Sequence, residues 1–209
     1  MIVFGDRARS QDVQETIDEL EERIERVAAM GAGLPAHTER TALLIDAGVL
    51  VQGLLDAQLA ERGHDEATPI SIASMRLLRS LADGSPASSA LLAWLRELPL
   101  PARTIARQPE GYAFYALYPS AYARAARAVP PDARERLRVI GLRSIGTSLA
   151  STVSSATGSL VAPVTLRPVG PPFDRTVRIG PRLEAELRAA STEHFALVDE
   201  GPGLSGSSM

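Results

Sequence analysis

His194-Phe195-Ala196-Leu197-Val198-Asp199-Glu200 is a short apolar run closed by two adjacent carboxylates, and Gly201-Pro202-Gly203-Leu204-Ser205-Gly206-Ser207-Ser208-Met209 follows it. Phe, Leu and Val in so short a run predict a buried strand, and the glycines and serines behind it predict a loop. In an open α/β sheet, ligands collect at the carboxyl edge of the strands, where a Gly/Ser loop offers backbone N–H groups and hydroxyls to a phosphate. Two ionised carboxylates repel phosphate and suit hydroxyls or a metal instead. The ligand implied carries a phosphate and a diol close together, as a sugar phosphate does.

Leu197-Val198-Asp199-Glu200, a spacer, and Ser205-Gly206-Ser207-Ser208 resemble the phosphoribosyl diphosphate (PRPP) motif of type I phosphoribosyltransferases. That motif runs from an apolar strand through an acidic pair and a short spacer to Thr/Ser-Gly-x-Thr/Ser. Here the spacer is one residue longer than usual and contains Pro202. The acidic residue many of those enzymes carry in it is absent, so no catalytic residue is assigned. A second segment is similar to the family's pyrophosphate-loop unit: Leu137-Arg138-Val139-Ile140-Gly141-Leu142 predicts a strand, Arg143-Ser144-Ile145-Gly146-Thr147-Ser148 a turn, and residues 149–157 a helix.

The resemblance covers residues 137–209. It implies an α/β fold in which a helical N-terminal region precedes a partial, Rossmann-like parallel sheet. It further implies that Asp199 and Glu200 hold the ribose hydroxyls directly or through Mg²⁺, and that Ser205, Gly206, Ser207 and Ser208 hold the 5′-phosphate. Arg143, Ser144, Ile145 and Gly146 would receive pyrophosphate. The implied reaction moves ribose 5-phosphate from PRPP to a small base-like nitrogen acceptor. Catalysis would rest on positioning and on Mg²⁺ neutralising the leaving group. A non-catalytic relative that senses PRPP or a nucleotide would keep the same pocket.

Composition removes several other chemistries. The chain has 209 residues, of which 45% are apolar, enough for one ordinary domain or two small ones with a real core. It contains no Cys, which rules out disulfides, thiolate zinc sites and Cys nucleophiles. It also contains no Lys, which rules out a Walker phosphate loop and Schiff-base catalysis. Its Ala- and Arg-rich usage suggests a bacterial genome of high GC content. The formal net charge is −3 and the arginines are scattered among acids, so neither a nucleic-acid stripe nor a membrane partner is expected. The expectation is a cytoplasmic protein, with homo-oligomerisation left open.

Along the chain, a short strand is expected at Ile2 to Phe4, and Ser10 is expected to cap a helix. Val13, Ile17, Leu20, Ile24 and Val27 recur in 4-3-4-3 steps and draw one apolar stripe on that helix. Gly31-Ala32-Gly33 reads as a helix stop, residues 38–62 as a second helix, Thr68-Pro69 as the start of a third and Ser85-Pro86 as the start of a fourth. Residues 1–108 are thus read as a helical region, with Pro99, Pro101 and Pro109 marking a linker at its end. Residues 109–136 form an aromatic-rich connector, its four tyrosines Tyr112, Tyr115, Tyr118 and Tyr122 spaced for one helical face unless Pro119 breaks it. Residues 137–209 form the α/β core. Within it, residues 160–166 read as a strand, 167–180 as a loop whose arginines 167, 175 and 178 suit diphosphate or solvent, and 181–190 as a helix.

The same C-terminal loop offers a rival. Gly201-Pro202-Gly203-Leu204-Ser205-Gly206 fits G-x-G-x-x-G after a strand, the fingerprint of a dinucleotide-binding oxidoreductase. Such a site needs a helix and then an acidic residue about 20 positions on. The sequence stops three residues after the fingerprint, which sets this reading behind both the transferase and the sensor and leads to the expectation that the α/β core is truncated after the PRPP loop.

Overall fold

The computed structural model describes residues 8–171, 173–189 and 194–199. In chain order the elements are β1 (Ala8–Asp12), α1 (Val13–Ala29), α2 (Leu34–Arg62), α3 (Pro69–Asp83), α4 (Ser88–Arg96), β2 (Arg103–Arg107), α5 (Glu110–Phe114), α6 (Pro119–Ala126), α7 (Pro131–Arg134), β3 (Leu137–Leu142), α8 (Gly146–Thr157), β4 (Val164–Leu166), α9 (Pro181–Leu187) and β5 (His194–Val198). The chain is α/β. The expected strand at Ile2 to Phe4 lies outside the described residues.

Helices α1 to α4 bury one contiguous core. The α1 stripe of Val13, Ile17, Leu20 and Ile24 meets Leu43, Leu50, Val51 and Leu54 of α2, together with Leu77 and Leu78 of α3 and Leu92 and Leu95 of α4. By length and composition α2 could cross a bilayer. Here its apolar residues are packed against the other helices, as in a core helix. Asp12, not Ser10, caps α1, accepting from Glu15 N at 3.1 Å. Ser10 lies in β1, which pairs antiparallel with β2 in the register Ser10↔Ile105. The segment read as a linker after Pro99 therefore holds a strand.

That pairing is possible because Thr104 and Ala106 turn inward while Arg103 and Ile105 face out, the period-two alternation of a half-buried strand. The run is only five residues long and flanked by prolines. The tyrosines divide between two short helices: Pro119 starts α6, and Ala116 between them has a positive φ of 51°. Tyr112 and Tyr122 pack into the core around the sheet, whereas Tyr115 and Tyr118 are exposed.

The sheet is parallel throughout, in the order β4-β3-β5. Its central strand β3 is buried along its whole length, as a strand covered on both faces must be. Val139 faces α8 through Ile145, Leu149 and Val153; Ile140 and Leu142 face the other way, toward Leu166 and Leu183 of α9. The helices on either side of β3 are thus on opposite faces. The expected strand at 160–166 shortens to Val164–Leu166, because Ser159 and Val161 are held in a turn by the Ser159 hydroxyl.

Candidate functional site

Parallel pairing brings the ends of the three sheet strands to one edge. Gly141 stands opposite both Thr165 of β4 and Val198 of β5. Consequently the turn Arg143-Ser144-Ile145, the residue Arg167 after β4 and Asp199 after β5 all leave the sheet at its carboxyl edge. The loops after β3 and β4 depart to opposite faces, so a crevice is expected between these strand ends, where ligands of such sheets bind.

The approach of α8 to this edge requires glycine twice. A Cβ on Gly141 would collide with the Gly146 carbonyl, and one on Gly146 would lie 2.7 Å from Val198 O. With no side chain at either position, the start of α8 lies directly against the end of β5. The residue capping α8, Ile145, supplies no side-chain acceptor, and the Thr147 hydroxyl, 1% exposed, has no hydrogen-bond partner. Tyr122 of α6 donates to Asp199 O at 2.9 Å and fixes the backbone where β5 ends.

Between the ends of β3 and β4 lies a buried polar cluster that sequence reasoning did not find. Asp65, from the loop joining α2 to α3, accepts from Arg143 Nη2 at 2.5 Å and from Arg167 N at 2.8 Å. Asp56 of α2 receives a bidentate pair from Arg167, Nε at 3.0 Å and Nη2 at 2.5 Å, and lies 3.0 Å from Arg143 Nε. Arg167 Nη1 also donates to Arg143 O at 2.9 Å. Gln52 completes the cluster when its amide is oriented by its partners, donating to Ser144 O at 3.2 Å and accepting from Arg167 Nη2 at 3.1 Å. Arg143 and Asp65 are each 5% exposed. Burial pushes the Asp65 carboxyl above its usual range, and the Arg143 charge and the Arg167 N–H pull it back.

This cluster decides what each predicted residue can do. The Arg143 guanidinium is committed to Asp65 and Asp56, so within this turn the Ser144 side chain, the backbone of residues 144–146 and the first turn of α8 are left to meet an anion. Arg167 is likewise held by Asp56. Asp199 stands beside that turn on the same edge. Glu200, Ser205, Gly206, Ser207 and Ser208 lie outside the described residues. The acids that neutralise the arginines, Asp56 and Asp65, sit in the helical region more than 75 positions upstream of Arg143 in sequence. Only the absence of any other charge on the buried stretch of α2 between Val49 and Leu55 marks Asp56 in the sequence.

The loop holding Asp65 is itself tied down. Asp65 N donates to Arg178 O at 2.8 Å and Gly180 N donates to Asp65 O at 2.7 Å. The adjoining Glu66 accepts from Ala67 N at 2.9 Å and from Leu183 N in the first turn of α9 at 2.8 Å. Burial alone would raise the Glu66 carboxyl, but these backbone N–H groups and the nearby His64 outweigh it and hold it below its usual range. Among the described residues no group of three His, Asp or Glu side chains could hold a metal by itself. No protein-family model, curated protein or solved structure matches the chain.

Proposed function

We propose that the carboxyl edge of the sheet binds PRPP and that the protein is a phosphoribosyltransferase acting on a nitrogenous base-like acceptor. The observation carrying this reading is the meeting of two motif segments far apart in sequence: Gly141 pairs with Val198, so the 143–146 turn and Asp199 emerge side by side. On the PRPP reading, Asp199 and Glu200 hold the ribose hydroxyls and Ser205 to Ser208 hold the 5′-phosphate. The amides of Ser144, Ile145 and Gly146 face the pyrophosphate, with the partial positive charge of the α8 start behind them.

Carboxylate oxygens of an acidic pair are the donors Mg²⁺ prefers, and Mg²⁺ commonly takes only one or two of them while sharing the substrate's phosphates. Asp199 and Glu200 would hold it in that way, and it would neutralise charge on the departing pyrophosphate. The chain's own residues orient the sugar and exclude water. Nitrogen of the acceptor bonds to C1 of the ribose as the bond to pyrophosphate oxygen breaks, and the acceptor proton passes to solvent or pyrophosphate.

A second reading has an observation of its own. Because the Arg143 guanidinium is neutralised by Asp65 and Asp56, it does not add its charge to the leaving group; this favours a relative that binds PRPP without turning it over. Titration calorimetry with PRPP and Mg²⁺, set against NAD⁺, separates the readings. Saturable heat with PRPP and pyrophosphate release with some base supports the transferase, and D199N/E200Q should weaken binding by about tenfold or more. PRPP binding without pyrophosphate release for any base supports the sensor. Heat from NAD⁺ alone favours the dinucleotide rival and overturns both.

A further inference from the structure

On the sheet face opposite α8 lies a partly open cavity of about 230 Å³, bordered by the end of α2, the start of α3, the β3–β4 pair and α9. Its walls are mostly apolar, with Leu55, Leu59, Ile72, Met75 and Leu183 among them. Charged residues share the lining: Arg62, Asp65, Glu66, Arg76, Arg143 and Glu186 stand there besides Arg138. Arg138, the second residue of β3, lines the cavity and is 6% exposed. Its Nη1 donates to Ala162 O at 2.9 Å, while its Nε has no partner.

An unpaired buried guanidinium donor is costly, because its lost hydration is not replaced. Glu186 acts on Arg138 only at longer range, and burial draws the guanidinium below its usual value despite that carboxylate. Arg138 stands at the opposite end of β3 from Arg143, which lines the same cavity from the carboxyl edge. Arg138 and Arg143 lie five residues apart, roughly 16 Å along a strand. Arg143 is ion-paired with Asp56 and Asp65, whereas Arg138 has no carboxylate within salt-bridge distance among the described residues.

We infer that this cavity binds a small monocarboxylate with an apolar body, its carboxylate on Arg138 and its hydrocarbon part against Ile72, Met75 and Leu183. Three features select that class. A guanidinium edge matches a carboxylate's two oxygens. The predominantly apolar walls suit an uncharged hydrocarbon body. Four arginines, Arg62, Arg76, Arg138 and Arg143, face Asp65, Glu66 and Glu186 around the cavity, an excess of one positive charge that a single negative charge matches and a dianionic phosphate exceeds. The volume equals that of about eight water molecules, which sets the ligand at on the order of eight to ten non-hydrogen atoms.

The test uses octanoate on the full chain, followed by calorimetry, with 1-octanol and octyl phosphate as comparisons. The expected result is a dissociation constant below about 1 mM for octanoate, with each comparison at least about tenfold weaker. R138Q should lose about tenfold or more of the octanoate affinity, and I72W, which fills the cavity while leaving Arg138 in place, should abolish binding. Should R138Q fail to fold, the ligand comparison and I72W decide the matter. Octanol binding as well as octanoate, tighter binding of octyl phosphate, unchanged affinity in R138Q or I72W, or no octanoate binding would each overturn the proposal. Octanoate binding here does not require PRPP binding at the carboxyl edge, although Arg143 borders both.

Discussion

At Arg143 the demands of a fold and of a ligand site compete for one side chain. A basic residue at the end of a buried strand suits an incoming diphosphate, but this one is almost fully enclosed and carries two carboxylates of its own. Removing one partner of a buried ion pair costs about 3–5 kcal/mol, because the other charge is left without compensation. R143M should therefore lower the melting temperature by roughly 6–20 °C at the usual conversion for a chain of this size. R143M/D65N, which also removes the stranded charge, should recover part of that loss. Thermal unfolding of the three proteins checks both statements. If R143M melted with the parent, the cluster would be an ornament of the fold rather than one of its supports.

At the scale of elements, α8 packs by means of small residues. Gly141 and Gly146 let it lie directly on β3 and β5, and Ser151 and Ser154, both fully buried, have hydroxyls without partners. These two kinds of small residue should respond in opposite ways. G141A forces a methyl against the Gly146 carbonyl and should cost on the order of 1–3 kcal/mol or more. S151A removes an unpaired hydroxyl and improves helix propensity, so it should be neutral or stabilising by about 0.5–1 kcal/mol. Denaturant melts of the two variants settle the contrast.

The same elements show what a sequence reader can see. Strand β3 is legible because Leu137 to Leu142 form a continuous apolar run with one buried Arg, and α1 because its stripe repeats with the helical period. Strand β2 was not, since Arg103 to Arg107 alternate over only five residues between prolines. The four tyrosines share a helical spacing, yet Pro119 begins a new helix and sends Tyr115 and Tyr118 to solvent. At the candidate site, the two strands whose ends meet are both legible in the sequence, while the register that sets Gly141 beside Val198 comes from the fold. The hold of Asp56 and Asp65 on Arg143 is not legible there, because only tertiary packing brings residues so distant in sequence together.

Across the whole molecule, the polar ties between the helical layers and the sheet come from Gln52 and Asp56 of α2 and from the loop from His64 to Thr68. Asp65 binds both Arg143 and Arg167, and Glu66 binds the start of α9. Helix α8 adds a second seam, where Gly48 of α2 lies against Ser148 and Tyr112 meets the same hydroxyl at 2.7 Å. Helices and sheet joined in this way should unfold together in acid, with Trp94 fluorescence from α4 and near-ultraviolet tyrosine dichroism from Tyr112 and Tyr122 changing at one midpoint. Glu66 should contribute to that midpoint with a definite sign. Its carboxyl is held below its unfolded value of 4.5, so the stabilisation is complete above that pH and lost as pH falls through the lower folded value. E66Q should therefore be less stable than the parent at neutral pH and converge on it in acid, giving a shallower acid limb. Parallel limbs for the two proteins would contradict the part assigned to Glu66. Separate midpoints for Trp94 and the tyrosines would show that the loop does not couple the two layers.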